Sequence, residues 1–111
     1  MKYLVVASGG PGFASEEEAV EVLERVIIPS FNELRALEKK KKIVAGGLPV
    51  GDRAFVFIAE AKSNDDLDQM LREIPMWGSL DWDVTALQSF NARAKQERQA
   101  VRELKRSIRD K

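Results

Sequence analysis

The sequence predicts a single α+β domain, in which strands and helices alternate along one chain. Two observations support this fold class. Residues 63–87 contain a capped helical pattern followed by a strand pattern, and residues 2–8 form an apolar strand pattern followed by a long helical one. The chain has 111 residues, which is enough for one hydrophobic core but not for two.

Composition excludes several classes of function. The 18 basic and 18 acidic residues balance, so we predict no nucleic-acid and no membrane partner. Cysteine and histidine are absent, which removes disulfides, thiol nucleophiles and the commonest metal ligand. Acid–base chemistry would then depend on Asp, Glu, Lys or Tyr. Since no apolar run approaches the roughly 20 residues of a membrane span, we expect a cytoplasmic location.

The first strand, residues 2–8, is almost continuously apolar, as expected of a strand covered on both faces. A Gly-rich loop follows at residues 9–12. Its backbone amides could cradle a phosphate, but no Gly-Lys-Ser/Thr ending follows, and Glu16, Glu17 and Glu18 would repel the anion. We interpret this segment as a plain flexible loop. A loop that lines a pocket for a neutral ligand is the alternative.

A long first helix is predicted after Ser15, extending as far as Glu38. Ser15 and Glu18 have the spacing of a capping box, and apolar residues then recur at helical intervals. Pro29 lacks a backbone donor and crowds the carbonyl four residues earlier, so we expect a kink or a brief break near Ile28. The bend either opens space beneath the helix or lets the helix follow a twisted sheet, and we favour the second explanation.

Two further strands are predicted at residues 43–50 and 53–61, joined around Gly51 and Asp52, which suit a hairpin turn. The second strand carries apolar side chains on both faces, with Phe55 and Phe57 on one face and Val56 and Ile58 on the other. Helices can cover only one face of the sheet. We therefore expect a second subunit to cover the other face.

The clearest signals lie in residues 63–87. Ser63 and Asp66 form a second capping box, the apolar residues that follow lie on one helical face, and Pro75 ends the helix by Ile74. From Leu80, apolar and polar residues alternate. The predicted strand has one face with Leu80, Trp82 and Val84 and an opposite, acidic face with Asp81, Asp83 and Thr85.

A polar helix is predicted after Leu87. Its apolar residues fall near one face: Phe90, Ala94, Val101, Leu104 and Ile108. We expect residues 1–90 to form the α+β domain and residues 91–111 to form a C-terminal helical arm. Such a charged helix is marginal alone, so it is either a frayed end or an arm on another subunit, and the persistence of apolar positions favours the arm.

The chain resembles the muconolactone delta-isomerase family. The likeness lies in Ser-Asn-Asp-Asp-Leu opening a helix at 63–67, in the helix ending at 71–75, in the acid-x-acid-Val-Thr-x-Leu strand at 81–87 and, more weakly, in Gly51, Arg53 and residues 55–58. The resemblance implies a ferredoxin-like βαββαβ fold that forms a dimeric α+β barrel, as a homodimer or a larger ring. It also implies proton transfer within a small unsaturated lactone, without a metal or an organic cofactor.

The sequence also departs from that family. The family's segment before the third strand is rich in Trp and His, whereas residues 43–48 carry no polar side chain here. The loop at residues 9–12 replaces a polar, histidine-bearing stretch. The resemblance therefore predicts the fold more securely than the activity.

Two carboxylates are the candidate proton shuttles. Asp81 and Asp83 point the same way from one strand, roughly 7 Å apart. Burial and mutual repulsion would raise the pKa of one carboxyl, so that its anion could remove a proton next to a carbonyl. The alternative is that both face solvent or pair with lysines. Asp83 is our first choice as catalytic base because it lies deeper in the strand.

Two further residues are candidates for binding the substrate. Arg53 could bind a carboxylate or an enolate oxygen through its fork of donors, and Tyr3 could donate a hydrogen bond to the substrate. A solvent-facing arginine and a core tyrosine are the alternatives. The predicted walls of a substrate pocket are Phe55, Phe57, Trp77 and Trp82, although tryptophans at such corners are more often core or interface anchors.

The leading functional hypothesis is an isomerase that moves a proton in a small unsaturated lactone or a related carbonyl compound during aromatic compound catabolism. One alternative is a non-catalytic small-molecule-binding or assembly module of the same fold. Another is a cofactor-independent monooxygenase or cyclase-like protein that acts on polycyclic aromatic molecules.

Overall fold

The computed structural model describes every residue from Met1 to Lys111. The strands are β1 (Lys2–Gly9), β2 (Ile43–Gly47), β3 (Phe55–Glu60) and β4 (Leu80–Leu87). The helices are α1 (Glu16–Val22), α2 (Ile28–Lys39), α3 (Asn64–Arg72) and α4 (Phe90–Arg109). A π-helical segment (Leu23–Ile27) joins α1 to α2, and a 3-10 turn (Trp77–Ser79) precedes β4.

The four strands form one antiparallel sheet in the order β2-β3-β1-β4. With a helical connection between β1 and β2 and another between β3 and β4, this order is the ferredoxin-like arrangement. The predicted α+β class and the predicted βαββαβ order are confirmed, and α4 follows as an additional C-terminal helix.

The core lies between one face of the sheet and the helices α2 and α3. Alternate residues of β1 and β3 point toward the helices and are buried: Tyr3, Val5, Ala7, Phe55, Phe57 and Ala59. They pack with helical side chains that include Leu37, Leu67 and Leu71. The alternation predicted from Leu80 holds as far as Asp83, since Leu80 and Trp82 pack with this core while Asp81 and Asp83 are exposed. Val84, the third residue of the predicted apolar face, is exposed.

The opposite face of the sheet is not covered by the helices. Register places Val6 between Val56 on β3 and Asp83 on β4. Leu4, Val6, Val56 and Ile58 are only partly buried there. We call this surface, with the acidic side chains of β4 along one edge, the open sheet face.

The predicted break in the first helix is the π-helical segment. The Ile28 N–H donates to the Leu23 carbonyl oxygen, five residues earlier, which widens this turn. Pro29 then stands at the start of α2, where a missing backbone donor costs little. The discontinuity therefore places the proline where a helix tolerates it.

The β2 and β3 strands are shorter than predicted, and they are joined by a longer loop than a two-residue hairpin turn. Pro49 cannot donate a ladder hydrogen bond, and its carbonyl oxygen instead accepts the Asp52 N–H at 3.1 Å. This contact closes a turn around Val50 and Gly51, where Gly51 has a φ of 82°. Arg53 consequently lies in the loop and not in the strand.

Helix α4 extends away from the rest of the chain and accounts for overall dimensions of 75 × 26 × 24 Å. Its N-cap is Ser89, whose hydroxyl accepts the Ala92 N–H at 3.0 Å. Phe90, at its first turn, is 97% exposed. None of the helices combines the length and the apolar character that crossing a membrane requires.

Candidate functional site

A cleft of about 400 Å³ opens between the β1–α1 loop, the π-helical segment and the β2–β3 loop. It is lined mainly by apolar side chains and glycine backbone: Gly9, Gly10, Pro11, Phe13, Leu23, Ile27, Phe31, Leu48, Phe55 and Met76. Asp52 and Arg53 supply its charged groups. The cleft thus has the size and the character of a site for a small organic molecule.

Local conformation explains how these walls form. Gly9 and Gly10 have φ values of 85° and 114°, which L side chains rarely adopt. The loop can therefore turn sharply out of β1. Phe31 of α2 packs edge-to-face on Phe55 of β3, with ring centroids 5.4 Å apart. The Gly-rich loop accordingly lines a pocket, as one of the two sequence interpretations proposed.

The π-helical segment contributes Leu23 and Ile27 to the same cleft. Such segments occur frequently at functional sites. The sequence favoured the explanation that the break near Ile28 lets the helix follow the twisted sheet. In the structure the break also shapes the cleft. Its residues form a wall of the cleft.

The charged groups lie together where the cleft meets solvent. The Arg53 guanidinium carbon is 5.8 Å from the centroid of the Phe13 ring, within the range of a cation–π contact. The Arg53 backbone N–H donates to Asp52 Oδ1 at 2.7 Å. Both side chains belong to exposed residues. A cation and a carboxylate thus lie on neighbouring residues, and the cation stands beside the Phe13 ring.

Asp81 and Asp83 project from the open sheet face, as alternation predicted, but neither lines the cleft. Asp81 lies nearer to it, since its Oδ2 would be 3.7 Å from a Cβ placed on Gly9. Asp83 lies farther along the strand, paired with Val6. Both residues are exposed in the single chain, so the burial required by the proton-shuttle hypothesis would have to come from another molecule.

Comparison with protein families matches residues 16–93 to muconolactone delta-isomerase. The match extends from the start of α1 through β4 and into the first turn of α4, well over half of the chain. The chain belongs to the muconolactone delta-isomerase family. The resemblance read from the sequence is confirmed, and most of α4 lies outside the family match.

Two solved structures share the fold. A crystal structure of muconolactone isomerase superposes with a TM-score of 0.67 at 16% sequence identity, over 80% of this chain and 90% of that one. A 5-chloro-2-hydroxyhydroquinone dehydrochlorinase from Burkholderia phenoliruptrix, in complex with 2,5-dihydroxybenzoquinone, gives a TM-score of 0.58 at 22% identity, over 83% of this chain and 98% of that one. Comparison with curated proteins finds no match.

In this member of the muconolactone delta-isomerase family, the cleft brings together two of the sequence-predicted site residues, Arg53 and Phe55. Phe57 lies two residues further along β3. It lines a smaller cavity of about 100 Å³. This cavity shares Phe31, Leu48 and Phe55 with the main cleft. The predicted grouping of Arg53 with the two phenylalanines is thus spread over two adjoining spaces.

The other predicted site residues lie elsewhere. Tyr3 is 2% exposed and its hydroxyl donates to Asn64 Oδ1 at 2.7 Å, so it has the environment of the core tyrosine named as the alternative. The Trp77 ring lies 4.4 Å from the Arg72 guanidinium carbon. The Trp82 Nε1–H donates to the Trp77 carbonyl oxygen at 3.0 Å. Both tryptophans pack against the core and are absent from the cleft lining.

Several cleft residues were not identified from the sequence. Phe13, Phe31 and Met76 come from three separate parts of the chain and carry no motif that marks them as site residues. Asp52 was recognised only as a turn residue, although its position beside Arg53 could have linked the two. The π-helical contribution of Leu23 and Ile27 was signalled only indirectly, by Pro29.

Proposed function

We propose that this chain is a cofactor-free isomerase that moves a proton within a small unsaturated lactone or a related carbonyl compound bound in the cleft. Membership of the muconolactone delta-isomerase family supports the reaction class. The observation that supports the location is the position of Arg53 beside the Phe13 ring, in an otherwise apolar cleft.

The cleft suits a flat molecule with one anionic substituent. A ring would contact Phe13, Phe31 and Phe55, which are spaced around the cleft. A carboxylate or an enolate oxygen would accept paired hydrogen bonds from the Arg53 guanidinium, whose planar fork matches such groups. Arg53 would therefore both orient the substrate and stabilise the negative charge that develops when a proton leaves.

The proton shuttle in this proposal is a carboxylate, because the chain contains no histidine and no cysteine and no lysine, tyrosine or glutamate lines the cleft. Asp52 is the carboxylate that lines the cleft in the single chain, so we assign the proton transfer to it. Like Asp81 and Asp83 it is exposed in the single chain, so a bound substrate or a second subunit would have to supply its burial. The carboxylate would remove a proton next to the carbonyl, forming an enolate, and return it to another carbon of the conjugated system. Asp81 and Asp83, the sequence-based candidates, are the alternatives that the experiment must separate.

The test follows isomerisation of unsaturated lactones by ultraviolet absorbance in Asp52→Asn, Asp81→Asn and Asp83→Asn variants. Removing a general base typically costs about 10²–10⁴-fold in rate, so we expect Asp52→Asn to lose at least about 10²-fold. Asp65→Asn, at an exposed position in the first turn of α3, is the control and should keep the full rate.

Each contrary result has a defined meaning. A loss confined to Asp83→Asn would transfer the role to the first choice made from sequence. Equal rates in all three variants would contradict carboxylate catalysis. No turnover of any lactone, with small molecules still bound, would favour the non-catalytic module, and oxygen uptake with a polycyclic aromatic substrate would favour the monooxygenase hypothesis.

The proposal also includes self-association, a cytoplasmic location and a role in aromatic compound catabolism. The apolar side chains of the open sheet face support self-association, because sheets with two apolar faces are normally covered on both. Membership of a family of metabolic enzymes supports both the location and the pathway.

A further inference from the structure

A small side pocket adjoins the main cleft, between α2 and the strands β2 and β3. Its volume is about 100 Å³. Three residues line both spaces: Phe31, Leu48 and Phe55. Phe31 and Phe55 pack edge-to-face on each other, whereas Leu48 lies in the loop after β2 and is 44% exposed. The boundary between the two spaces therefore consists of side chains, and Leu48 is the least restrained of them.

A bulge and a glycine in β2 leave the side pocket unfilled. Residues three apart in a regular strand point to opposite faces, but a register shift follows Ile43. Ile43 consequently pairs with Ala59 and Gly46 with Phe57, and both partners are buried on the helix side of the sheet. Cross-strand partners share a face, so Gly46 also faces α2. A Cβ at Gly46 would collide with Phe57, which keeps this position without a side chain.

The lining of the side pocket suits an apolar occupant. Its walls are formed by six apolar side chains: Phe31, Leu34, Ile43, Leu48, Phe55 and Phe57. The charged lining residues, Arg35 and Glu38, are both exposed, so no polar side chain is buried in the pocket. A hydrogen-bonding group placed there would lose water without gaining a buried partner. A cavity of about 150 Å³ with Leu, Ile and Phe walls binds benzene, and by that measure this pocket holds about four carbons.

The side pocket lies beyond Phe55 as seen from Arg53. Arg53 and Phe13 line only the main cleft, Phe55 lines both spaces, and Phe57 lines only the side pocket. Phe57 is about 7 Å further along β3 than Phe55, on the same face of the strand. A ring that contacts Phe55 while its anionic oxygen binds Arg53 therefore has its other end next to the side pocket. A substituent at that end reaches the pocket.

We propose that the side pocket is a specificity subsite for a short alkyl substituent on the substrate ring, and that Leu34 limits the length of this substituent. The substrate class is then an unsaturated lactone with an anionic oxygen for Arg53 and an alkyl group of up to about four carbons. The alkyl group enters beside Leu48, at the boundary between the two spaces. This inference rests on the proposed function, because it takes the ring to be bound in the main cleft.

Calorimetry on the full-length protein tests the subsite through equilibrium binding, which does not require turnover. The test ligands are benzoate, 3-propylbenzoate and 4-propylbenzoate, flat acids that differ only in the alkyl chain and its position. Each methylene that moves from water into an apolar pocket is worth about fourfold in affinity. The better of the two propyl acids should therefore bind at least about tenfold more tightly than benzoate.

Variants of Leu34 change the side pocket and not the main cleft, because Leu34 lines only the former. Leu34→Phe fills the pocket and should bring the ratio of propyl-acid affinity to benzoate affinity close to one. Leu34→Ala enlarges the pocket and should make pentylbenzoate the tightest ligand. Leu23→Ala, in a wall of the main cleft only, should weaken benzoate and the propyl acids by the same factor. Leu104→Ala, exposed in α4, is the control and should leave every affinity unchanged.

Three binding results would overturn the inference. The first is equal affinity of the wild-type protein for benzoate and both propyl acids, or no binding of any of them. The second is a preference for the propyl acid that neither Leu34 variant changes, with circular dichroism showing that both variants are folded. The third is tighter binding of a 2-carboxyethyl acid than of the propyl acid, which would assign the pocket to a second anionic group at Arg35.

Turnover of lactones separates this inference from the proposed function. The rate of isomerisation is compared for an unsaturated lactone with and without a propyl substituent. A higher kcat/KM for the propyl lactone, lost in Leu34→Phe, supports the subsite. Equal kcat/KM values would overturn the subsite and leave the isomerase in place. Chain-length-dependent binding of the benzoates without turnover of any lactone would support the subsite and contradict the isomerase.

Discussion

The Ser30 hydroxyl group joins two parts of the chain that are 46 residues apart: it accepts a hydrogen bond from the Met76 backbone N–H at 2.9 Å. The same hydroxyl donates to the Val26 carbonyl oxygen at 2.7 Å, and Ser30 is fully buried. Val26 lies in the π-helical segment, and Met76 lines the cleft. This pair of bonds therefore holds the irregular part of the first helix against the corner before β4.

Ser30→Ala should destabilise the fold, because it leaves the buried Met76 N–H without its partner. An unsatisfied buried donor costs about 1–3 kcal/mol. The free energy of unfolding from urea titration, monitored by tryptophan fluorescence, measures this loss. Ser107→Ala, at an exposed position in α4, is the control and should change the free energy by less than about 0.5 kcal/mol. An equally stable Ser30→Ala protein would show that water or a shifted backbone satisfies Met76.

Gly46→Ala should destabilise the β2–β3 pairing. A Cβ at this position would stand 2.5 Å from the Val56 carbonyl oxygen and against the Phe57 side chain, so strand separation would have to increase. Overpacking of this kind costs about 1–3 kcal/mol. Gly47→Ala is a matched control, because a Cβ there meets nothing within 4 Å. Thermal unfolding of the two variants should differ clearly, and identical midpoints would contradict the close approach at Gly46.

Arg53→Lys should weaken substrate binding even though it keeps the positive charge. Lysine cannot make the paired, planar contact that a guanidinium makes with a carboxylate. We expect KM to rise about tenfold for a carboxylate-bearing lactone, with a smaller change for the corresponding amide. Arg25→Lys, which alters a surface contact with Glu21, should leave both constants unchanged. Equal increases for the acid and the amide would argue against a carboxylate contact.

Two serine caps should differ in their effect on stability. Ser63 caps α3 by accepting the Asp66 N–H at 3.1 Å, and α3 contributes Leu67 and Leu71 to the core. Ser63→Ala should therefore cost about 1 kcal/mol in global stability. Ser89→Ala removes the equivalent cap from α4, which has no buried residue. It should lower the helicity measured by circular dichroism in dilute protein. The free energy of unfolding of residues 1–89 should change little.

Much of the fold was predictable because its signals are local. Capping serines at 15 and 63, the proline at 29 and the alternation from Leu80 each act on the few residues around them, and the structure has a helix start, a break or a strand at each of these places. Alternation also placed Asp81 and Asp83 together on one face of β4. These features follow from backbone geometry and side-chain spacing, which the sequence specifies directly.

The cleft was decided by tertiary structure. Gly9, Arg53 and Met76 share it only because antiparallel pairing brings the end of β1, the start of β3 and the corner before β4 to one end of the sheet. Long-range register also sets Asp83 opposite Val6, three residues from the Gly9 end of β1, and so outside this cleft. The sequence by itself determined which segments become strands and helices and which face each side chain takes. Strand order decided which loops meet to form a site. The strand order itself is set by pairing between residues that lie far apart in the chain.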